Sequence, residues 1–427
     1  MDFGLIGEKL GHSFSKDIHG RLGGYAYELR ELPRDTVEEF IRAKEFRGIN
    51  VTIPYKEVVI PLLDEVSERA LAIGAVNTIV YDGGKLCGDN TDFGGMQALM
   101  KHYGIEVAGR DVLVLGSGGT SKTATAVAKA LGAASVNRVS RTKRDNCITY
   151  EEAYETHAVA DVIINTTPVG MFPNNGACPI DIGHFPKLTG VVDAIYNPLR
   201  TRLVSEARKR GIPAAGGLYM LVAQAVLAAA KFAKVMTPAE RAGLSLDTDE
   251  AVTEATERIF REVLREKQSI VLTGMPGVGK TTVGRILAER LGCEFVDSDD
   301  AIVEKCCCDI PTIFAERGEP FFRETEAEVI RELSAQGGRV IATGGGAVLR
   351  SDNVEALRSN GRVYFLDRDP ALITATDGRP LSSNREALMQ RYNERYPVYC
   401  STCDVRIACE GTAEDAASQI LADRERD

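Results

Sequence analysis

The sequence predicts an α/β chain built on parallel sheets, and three observations carry that expectation. Val112–Leu115 is an apolar run of the buried-strand type. It leads straight into Gly116-Ser117-Gly118-Gly119-Thr120 and then a helical stretch, Ser121–Leu131. Ser269–Thr273 leads in the same way into Gly274–Thr281, GMPGVGKT, and a helical stretch ending at Leu291. The apolar runs 161–165 and 191–195 end in polar loops, as strands do where their C-terminal ends hold ligands. A strand, glycine-rich turn and helix thus occur once in each half of the chain. With 427 residues there is room for two to three domains.

Composition narrows the function classes. Hydrophobic content of 44% and charged content of 26% belong to a globular chain rather than a disordered one. No apolar run of about 18 residues is free of charge, so no membrane span is expected. The opening MDFGLIGEKLGHS carries an early acid and no signal-peptide core, which makes the chain cytoplasmic by expectation. The net charge of −10 falls mostly after residue 268, and neither half is basic enough for nucleic acid. Of the cysteines, Cys306, Cys307 and Cys308 are consecutive in a segment that reads as helical. Cys400 and Cys403 form one C-x-x-C with no second pair, short of a zinc ligand set. Reduced structural thiols are expected.

Taken in order, residues 3–7 (FGLIG) read as a strand, followed by Gly11-His12-Ser13-Phe14-Ser15-Lys16 and a helix. Ser13 and Ser15 suit a polyhydroxy or carboxylate ligand. Ser15 equally suits the helix N-cap, and composition alone favours the cap. Alternation over 49–53 gives a strand that stops at Pro54 and places Lys56 just past its end. Thr52 lies in that strand. Gly74-Ala75-Val76-Asn77-Thr78 and Gly88-Asp89-Asn90-Thr91-Asp92 add polar groups at loop positions. Asp92 can hold Lys56 by an ion pair and tune its proton transfer, whereas turn chemistry also explains Asn77, Asn90 or Asp92 singly.

The turn Gly116–Thr120 is a Rossmann βα turn, in which a pyrophosphate rests on the loop and helix N-terminus. The next strand ends at Ser140-Arg141-Thr142-Lys143-Arg144, with no acid for a ribose hydroxyl. Arg141 suits a 2′-phosphate, so NADP is preferred over NAD. Thr166-Thr167-Pro168-Val169-Gly170-Met171 follows the strand 161–165, where a nicotinamide is expected. Tyr196 follows the strand from Val191, and Gly216-Gly217-Leu218-Tyr219-Met220 opens an apolar helix to about Lys234. Gln224 is the amide inside that helix, and a polar residue on such a face is more often exposed than functional.

Together these pieces resemble shikimate dehydrogenase. GHSFS, GINVTIPYK, GAVNT, GDNTDFGG, LGSGGT, SRT, NTTPVGM, DAIYNPLRT and GGLYMLVAQA occur in the family's order over residues 1 to about 234. The resemblance implies a substrate-binding α/β domain (1–96 and 217–234) and a Rossmann NADP-binding domain (97–216). It implies that Ser13, Ser15, Thr52, Asn77, Asp92, Tyr196 and Gln224 bind substrate, with Lys56 and Asp92 as the catalytic pair. Gly116, Gly118, Gly119, Thr120, Ser140, Arg141, Thr142, Thr166, Gly217 and Met220 would hold NADP(H). The reaction would be reduction of the C3 ketone of 3-dehydroshikimate to shikimate. Ser140 departs from the family's more usual Asn before Arg-Thr.

Residues 235–267 read as a linker. Its first part, with Pro238 and Gly243, is loose, and Asp249–Lys267 is an amphipathic helix with Val252, Ile259, Phe260, Val263 and Leu264 on its apolar face.

In the second half, Gly274–Thr281 fits the phosphate-binding loop pattern G-x-x-x-x-G-K-[ST] in its required strand–helix context. Lys280 is expected on the β/γ-phosphates and Thr281 on Mg²⁺. A strand ends at Asp297-Ser298-Asp299, suited to Mg²⁺ and an acceptor hydroxyl, or to a helix cap. Arg323 and Glu326, three apart, share a helix face, where Arg323 can grip a carboxylate. Gly344-Gly345-Gly346 permits close approach of backbone to ligand. Arg379-Pro380-Leu381 lies in a lid-like segment, and Arg395 begins RYPVY.

This half resembles shikimate kinase through GMPGVGKTT, FVDSD, GEPFFRETE, ATGGGAV, RPL and RYPVY, in family order. That implies a P-loop domain of the nucleoside-monophosphate-kinase kind over 268–427, with a parallel sheet. Asp299, Arg323, Gly345, Gly346 and Arg395 would bind shikimate. Gly277, Gly279, Lys280, Thr281, Thr282 and Arg379 would serve ATP, with Thr281 and Asp297 on Mg²⁺ and Lys280, Asp297 and Arg379 in the transfer itself. The segment 370–378 lacks the basic residue the family usually has before RPL. The whole reads as a bifunctional enzyme, monomer or homodimer, whose first product is its second substrate. The alternative is one active half and one binding or assembly module. A change of substrate, such as quinate with NAD, is opposed by Arg141.

Overall fold

In the computed structural model, residues 1–11, 13–144, 146–372 and 385–426 are described. The chain divides into two compact units. One comprises Met1–Gly170, Cys178–Tyr196 and Leu203–Val263; the other comprises Met171–Ala177, Asn197–Arg202 and Leu264–Asp427.

The first unit holds two sheets. Strands β1 (Phe3–Gly7), β2 (Glu28–Glu31), β3 (Gly48–Val51), β4 (Glu65–Val66), β5 (Thr78–Asp82) and β6 (Lys85–Asp89) form one in the order β2-β1-β3-β5-β6-β4. The first three run parallel, and β5 and β6 are an antiparallel hairpin on that core. Strands β7 (Asp111–Leu115), β8 (Ser135–Val139), β9 (Cys147–Ile148), β10 (Val162–Asn165), β11 (Gly190–Asp193) and β12 (Ala214–Ala215) form the other. Their order, β12-β11-β10-β7-β8-β9, is all parallel. That is the Rossmann order, and its switch point lies between β7 and β10. Val112–Leu115 and Val162–Ile164 in these strands are apolar and buried because helices cover both faces of a parallel sheet. Leu113, Leu115, Ile163, Val191 and Leu203 centre its core.

The second unit has strands β13 (Ser269–Thr273), β14 (Phe295–Asp297), β15 (Val340–Ala342), β16 (Gly361–Asp367) and β17 (Val405–Ala408) in the order β14-β15-β13-β16-β17, again all parallel. The phosphate-loop strand β13 is central, so its loop opens between the C-terminal ends of β15 and β16. Ile270, Leu272, Leu287, Tyr364 and Ile420 centre this core. Among the described residues no helix is long and apolar enough to cross a membrane.

Several local expectations change. The helix expected from Ser121 starts at Gly119, so Gly119 and Thr120 form its first turn. Strand β3 stops at Val51, leaving Thr52 in the following turn, where its carbonyl accepts the Tyr55 N–H. Ser15 is the first residue of helix Ser15–Leu22 rather than its cap; Phe14 takes the cap position, and the Ser13 hydroxyl accepts the Ser15 N–H. Gln224 is buried, not exposed.

The loose linker also needs correction. Thr237 and Glu240 form a capping box on the short helix Pro238–Arg241, and Glu240 pairs with Arg47 beside β3. Helix Asp249–Lys267 forms as expected and buries Ile259, Phe260 and Val263. The thiol run does not continue its helix. Helix Ser298–Cys306 ends there, because Cys307 adopts a left-handed φ of 55°.

Candidate active sites

In the first unit, Lys56 Nζ lies 2.5 Å from Asp92 Oδ2, and the two side chains are only 14% and 10% exposed. Asp92 sits in the first turn of helix Thr91–His102, where the helix dipole favours a carboxylate. Asn90 caps that helix, accepting the Phe93 N–H at 3.1 Å, and its amide donates to the Ala75 carbonyl. The capping residue therefore ties the helix carrying Asp92 to the loop carrying Asn77.

A buried polar chain continues from there. Asn77 Oδ1 accepts the Thr91 N–H at 2.7 Å, and Asn77 Nδ2 donates to Thr91 Oγ1. Asn50 donates to Thr78 Oγ1 and accepts from Tyr27. Asn50, Thr78 and Thr91 support this network; in sequence Thr78 and Thr91 stand out only as polar loop groups and Asn50 has no evident role.

Gln224 and Asp92 come from helices that cross closely at Gly95. A Cβ there would lie 2.8 Å from the Met220 carbonyl and 3.0 Å from Gln224 Cβ. Ser13 and Ser15 flank Phe14, whose ring packs on Tyr196 at 5.2 Å, bringing that segment to the loop after β11. Burial pushes the Tyr196 phenol above its ordinary value, so it remains a hydrogen-bond donor.

At the switch point of the Rossmann sheet, Gly116 has φ 121°, and a side chain there would meet Thr166 Oγ1 at 2.6 Å. Only glycine fits, which lets the loop pass close under a ligand. A Cβ on Gly119 would lie 3.8 Å from the Lys56 side chain. The phosphate-binding turn and Lys56 are thus neighbours. Gly217 packs on the Ala194 carbonyl and Met220 is buried. Ser140 is buried and its hydroxyl donates to the Thr142 carbonyl, folding the turn after β8, while Arg141 and Thr142 stand exposed. This cradle fits a dinucleotide with an extra phosphate.

In the second unit, Lys280 Nζ donates to the Gly274 and Met275 carbonyls at 2.9 and 3.0 Å, inside the loop whose Gly277 and Gly279 take φ of 82° and 102°. Thr281 Oγ1 donates to Asp297 Oδ2 at 2.9 Å. Asp297 also caps helix Ser298–Cys306 through the Asp299 N–H, so the two readings of this acid coexist. Thr282 is exposed on the helix that follows the loop.

Around Gly344–Gly346 the polar groups converge. Cβ atoms at 344, 345 and 346 would meet Asp299 Oδ1 at 2.6 Å, Pro276 at 2.7 Å and Arg323 Nη1 at 2.8 Å. Arg323 holds Glu326 at 2.8 Å, and Glu326 is 1% exposed. Burial pushes the Glu326 carboxyl up against the opposing pull of Arg323. Arg395 Nη1 and the Tyr399 hydroxyl both donate to the Gly345 carbonyl, at 3.0 and 2.5 Å. Arg379 lies outside the described residues, as does His12 of GHSFS.

Comparison with known proteins settles the family. Residues 5–79 match the shikimate dehydrogenase substrate binding domain, and residues 276–425 match shikimate kinase. The NADP(+) shikimate dehydrogenase of Clostridium perfringens (strain SM101) is 37% identical over 245 residues, covering 53% of this chain and 90% of that protein. The chain belongs to the shikimate dehydrogenase family. Among solved structures, a chorismate mutase/shikimate 5-dehydrogenase fusion protein from Clostridium acetobutylicum is 35% identical with a TM-score of 0.54, covering 61% of this chain and 97% of that one. A shikimate 5-dehydrogenase from Thermus thermophilus, solved with NADP(H) and shikimate, is 28% identical with a TM-score of 0.50, over 61% and 99%. This shikimate dehydrogenase therefore carries a shikimate kinase domain behind it, with NADP(H) the cofactor of the first and ATP the phosphate donor of the second.

Proposed function

We propose that Lys56 and Asp92 carry the dehydrogenase chemistry and that Lys280, Asp297 and Arg379 carry the phosphoryl transfer. The chain then takes 3-dehydroshikimate to shikimate and on to shikimate 3-phosphate. The Lys56–Asp92 pair, shielded and set against the dinucleotide turn, is the observation that supports this most directly. Bound NADPH supplies the hydride to the C3 carbonyl carbon. Lys56 gives a proton to the oxygen as charge develops on it, and Asp92 orients the ammonium. Ser13, Ser15, Thr52, Asn77, Tyr196 and Gln224 hold the substrate's carboxylate and hydroxyls. Gly116–Thr120, Ser140–Thr142, Thr166, Gly217 and Met220 hold the dinucleotide, with Arg141 for the 2′-phosphate.

In the kinase, the backbone of Gly277–Gly279 with Lys280 cradles the phosphates, and Thr281 with Asp297 holds Mg²⁺. Arg323, fixed by Glu326, grips the shikimate carboxylate beside Arg395 and the Gly345–Gly346 backbone, while Asp299 orients the acceptor hydroxyl. Transfer is mainly positioning and charge neutralisation. The dehydrogenase comprises a substrate-binding domain (1–96 and 217–234) and a Rossmann domain (97–216), followed by the linker 235–267 and the kinase domain 268–427. The ten free thiols suit a cytoplasmic chain; its partners are small molecules, as monomer or homodimer. Purified protein given 3-dehydroshikimate, NADPH and ATP-Mg should convert the substrate to shikimate 3-phosphate by mass. Accumulation of shikimate alone, with no ADP formed, would refute the kinase assignment.

A further inference from the structure

Tyr219, His102 and Glu257 form a cluster that neither reaction uses directly. His102 is the last residue of helix Thr91–His102, and Tyr219 is the second of helix Leu218–Phe232. Their rings stack at 4.1 Å with 23° between planes. Both reach one carboxylate oxygen: Glu257 Oε1 lies 2.9 Å from His102 Nδ1 and 2.8 Å from the Tyr219 hydroxyl, which donates to it. Phe260, nearly one turn on from Glu257, packs edge-on against both rings at 5.6 and 5.1 Å. Tyr219 is 3% exposed, so its hydroxyl has been taken out of water onto a single acceptor. Burial and the carboxylate hold that phenol well above its ordinary value, and it stays a donor.

The two clamped helices carry groups assigned above to the substrate. The first carries Asp92 in its first turn, and the second carries Met220 and Gln224 in its opening turns. They cross so closely at Gly95 that a Cβ there would meet the Met220 carbonyl, so a shift of one end is transmitted along the rod to the other. Glu257 comes from helix Asp249–Lys267, after the last strand of either dehydrogenase sheet.

We infer that Glu257 is a positioning residue of the dehydrogenase: by holding Tyr219 and His102 together it sets Met220 and Gln224 against the Lys56–Asp92 pair. The inference rests on the site roles proposed above. Loss of the shared acceptor removes hydrogen bonds to a charged group, an effect of about tenfold in an equilibrium constant. In the full chain, Glu257→Ala should raise KM for NADPH and 3-dehydroshikimate about tenfold, with kcat within about twofold. Glu257→Gln, which keeps a carbonyl acceptor for both donors, should restore KM to near the parent value. The kinase KM values should not move in either variant.

Unchanged dehydrogenase KM values in Glu257→Ala would overturn the inference. So would equal failure of the Ala and Gln variants, which would mark a merely structural role. If Glu257→Ala does not fold by circular dichroism, Tyr219→Phe carries the same KM test with the same outcomes. Lys56→Ala in the same assay tests the underlying reading separately: surviving turnover there would refute the Lys56 assignment and leave the Glu257 result to be judged on its own.

Discussion

At the scale of single residues, charge placement around Asp92 has a consequence for acid stability. Asp89 stands three positions earlier, at the end of β6, where burial pushes its carboxyl up. The Lys231 ammonium, the Ser67 hydroxyl and the Asn90 N–H overcome that and hold it at about 2, below the ordinary 3.8. A carboxyl depressed on folding stabilises the fold above its unfolded-state value, and the contribution is lost as pH falls toward the folded value. Asp89→Asn should therefore lower the melting temperature of the dehydrogenase unit at pH 7, with the gap to the parent closing between about pH 4 and pH 2. Melts followed by circular dichroism across that range check it; a gap that stays constant with pH would refute the ionic origin. Lys231 is the penultimate residue of helix Leu218–Phe232, so the same pair also anchors the helix that carries Gln224.

At the scale of elements, helices Thr91–His102 and Leu218–Phe232, which carry Asp92 and Gln224, cross closely at Gly95. In sequence, Gly88–Asp92 reads as polar groups at loop positions, and Gly94 and Gly95 after it carry no evident role. Their reason is tertiary: Gly95 faces the Met220 carbonyl, whereas Gly94 faces only the Leu227 side chain. Backbone cannot yield but a leucine tip can. Gly95→Ala should cost about 1–3 kcal/mol and raise KM for 3-dehydroshikimate, and Gly94→Ala should cost less than 1 kcal/mol. Thermal melts and steady-state kinetics on the two variants check the order. The strand–glycine–helix units and the amphipathic helix Asp249–Lys267 were legible because periodicity and local motifs specify them. The capped turn at Pro238–Arg241 was not, since its hold on the fold comes through Arg47, far away in sequence. Burial of Gln224 was hidden for the same reason, as an amide in an apolar helix says nothing about which neighbour covers it. Lys56 and Asp92 were readable as partners, but Asn50 and Thr91, which hold that site in register, show only through the buried network.

At the scale of the whole molecule, two nucleotide-dependent halves stand in one chain, and the glycine-rich turn of each follows a strand of an all-parallel sheet. The dinucleotide turn follows β7 and the phosphate loop follows β13, and each site draws its named residues from its own compact unit among the described residues. Lys56 pairs with Asp92 inside the first unit, and Lys280 bonds the Gly274 and Met275 carbonyls inside the second. The bonds just named keep each lysine within its own unit, so their removal should be separable. Lys56→Ala should lower the rate of NADPH oxidation by about 10²-fold or more, the usual loss for a positioned general acid, while ADP formation from added shikimate continues at the parent rate. Lys280→Ala should do the reverse, because the β/γ-phosphates lose their cation while the dehydrogenase keeps its full set. Assays run on each half-reaction, with circular dichroism to verify folding, decide the matter. If either single change abolished both activities in folded protein, the two sites would have to share a step, and the division of labour between Lys56 and Lys280 would be wrong.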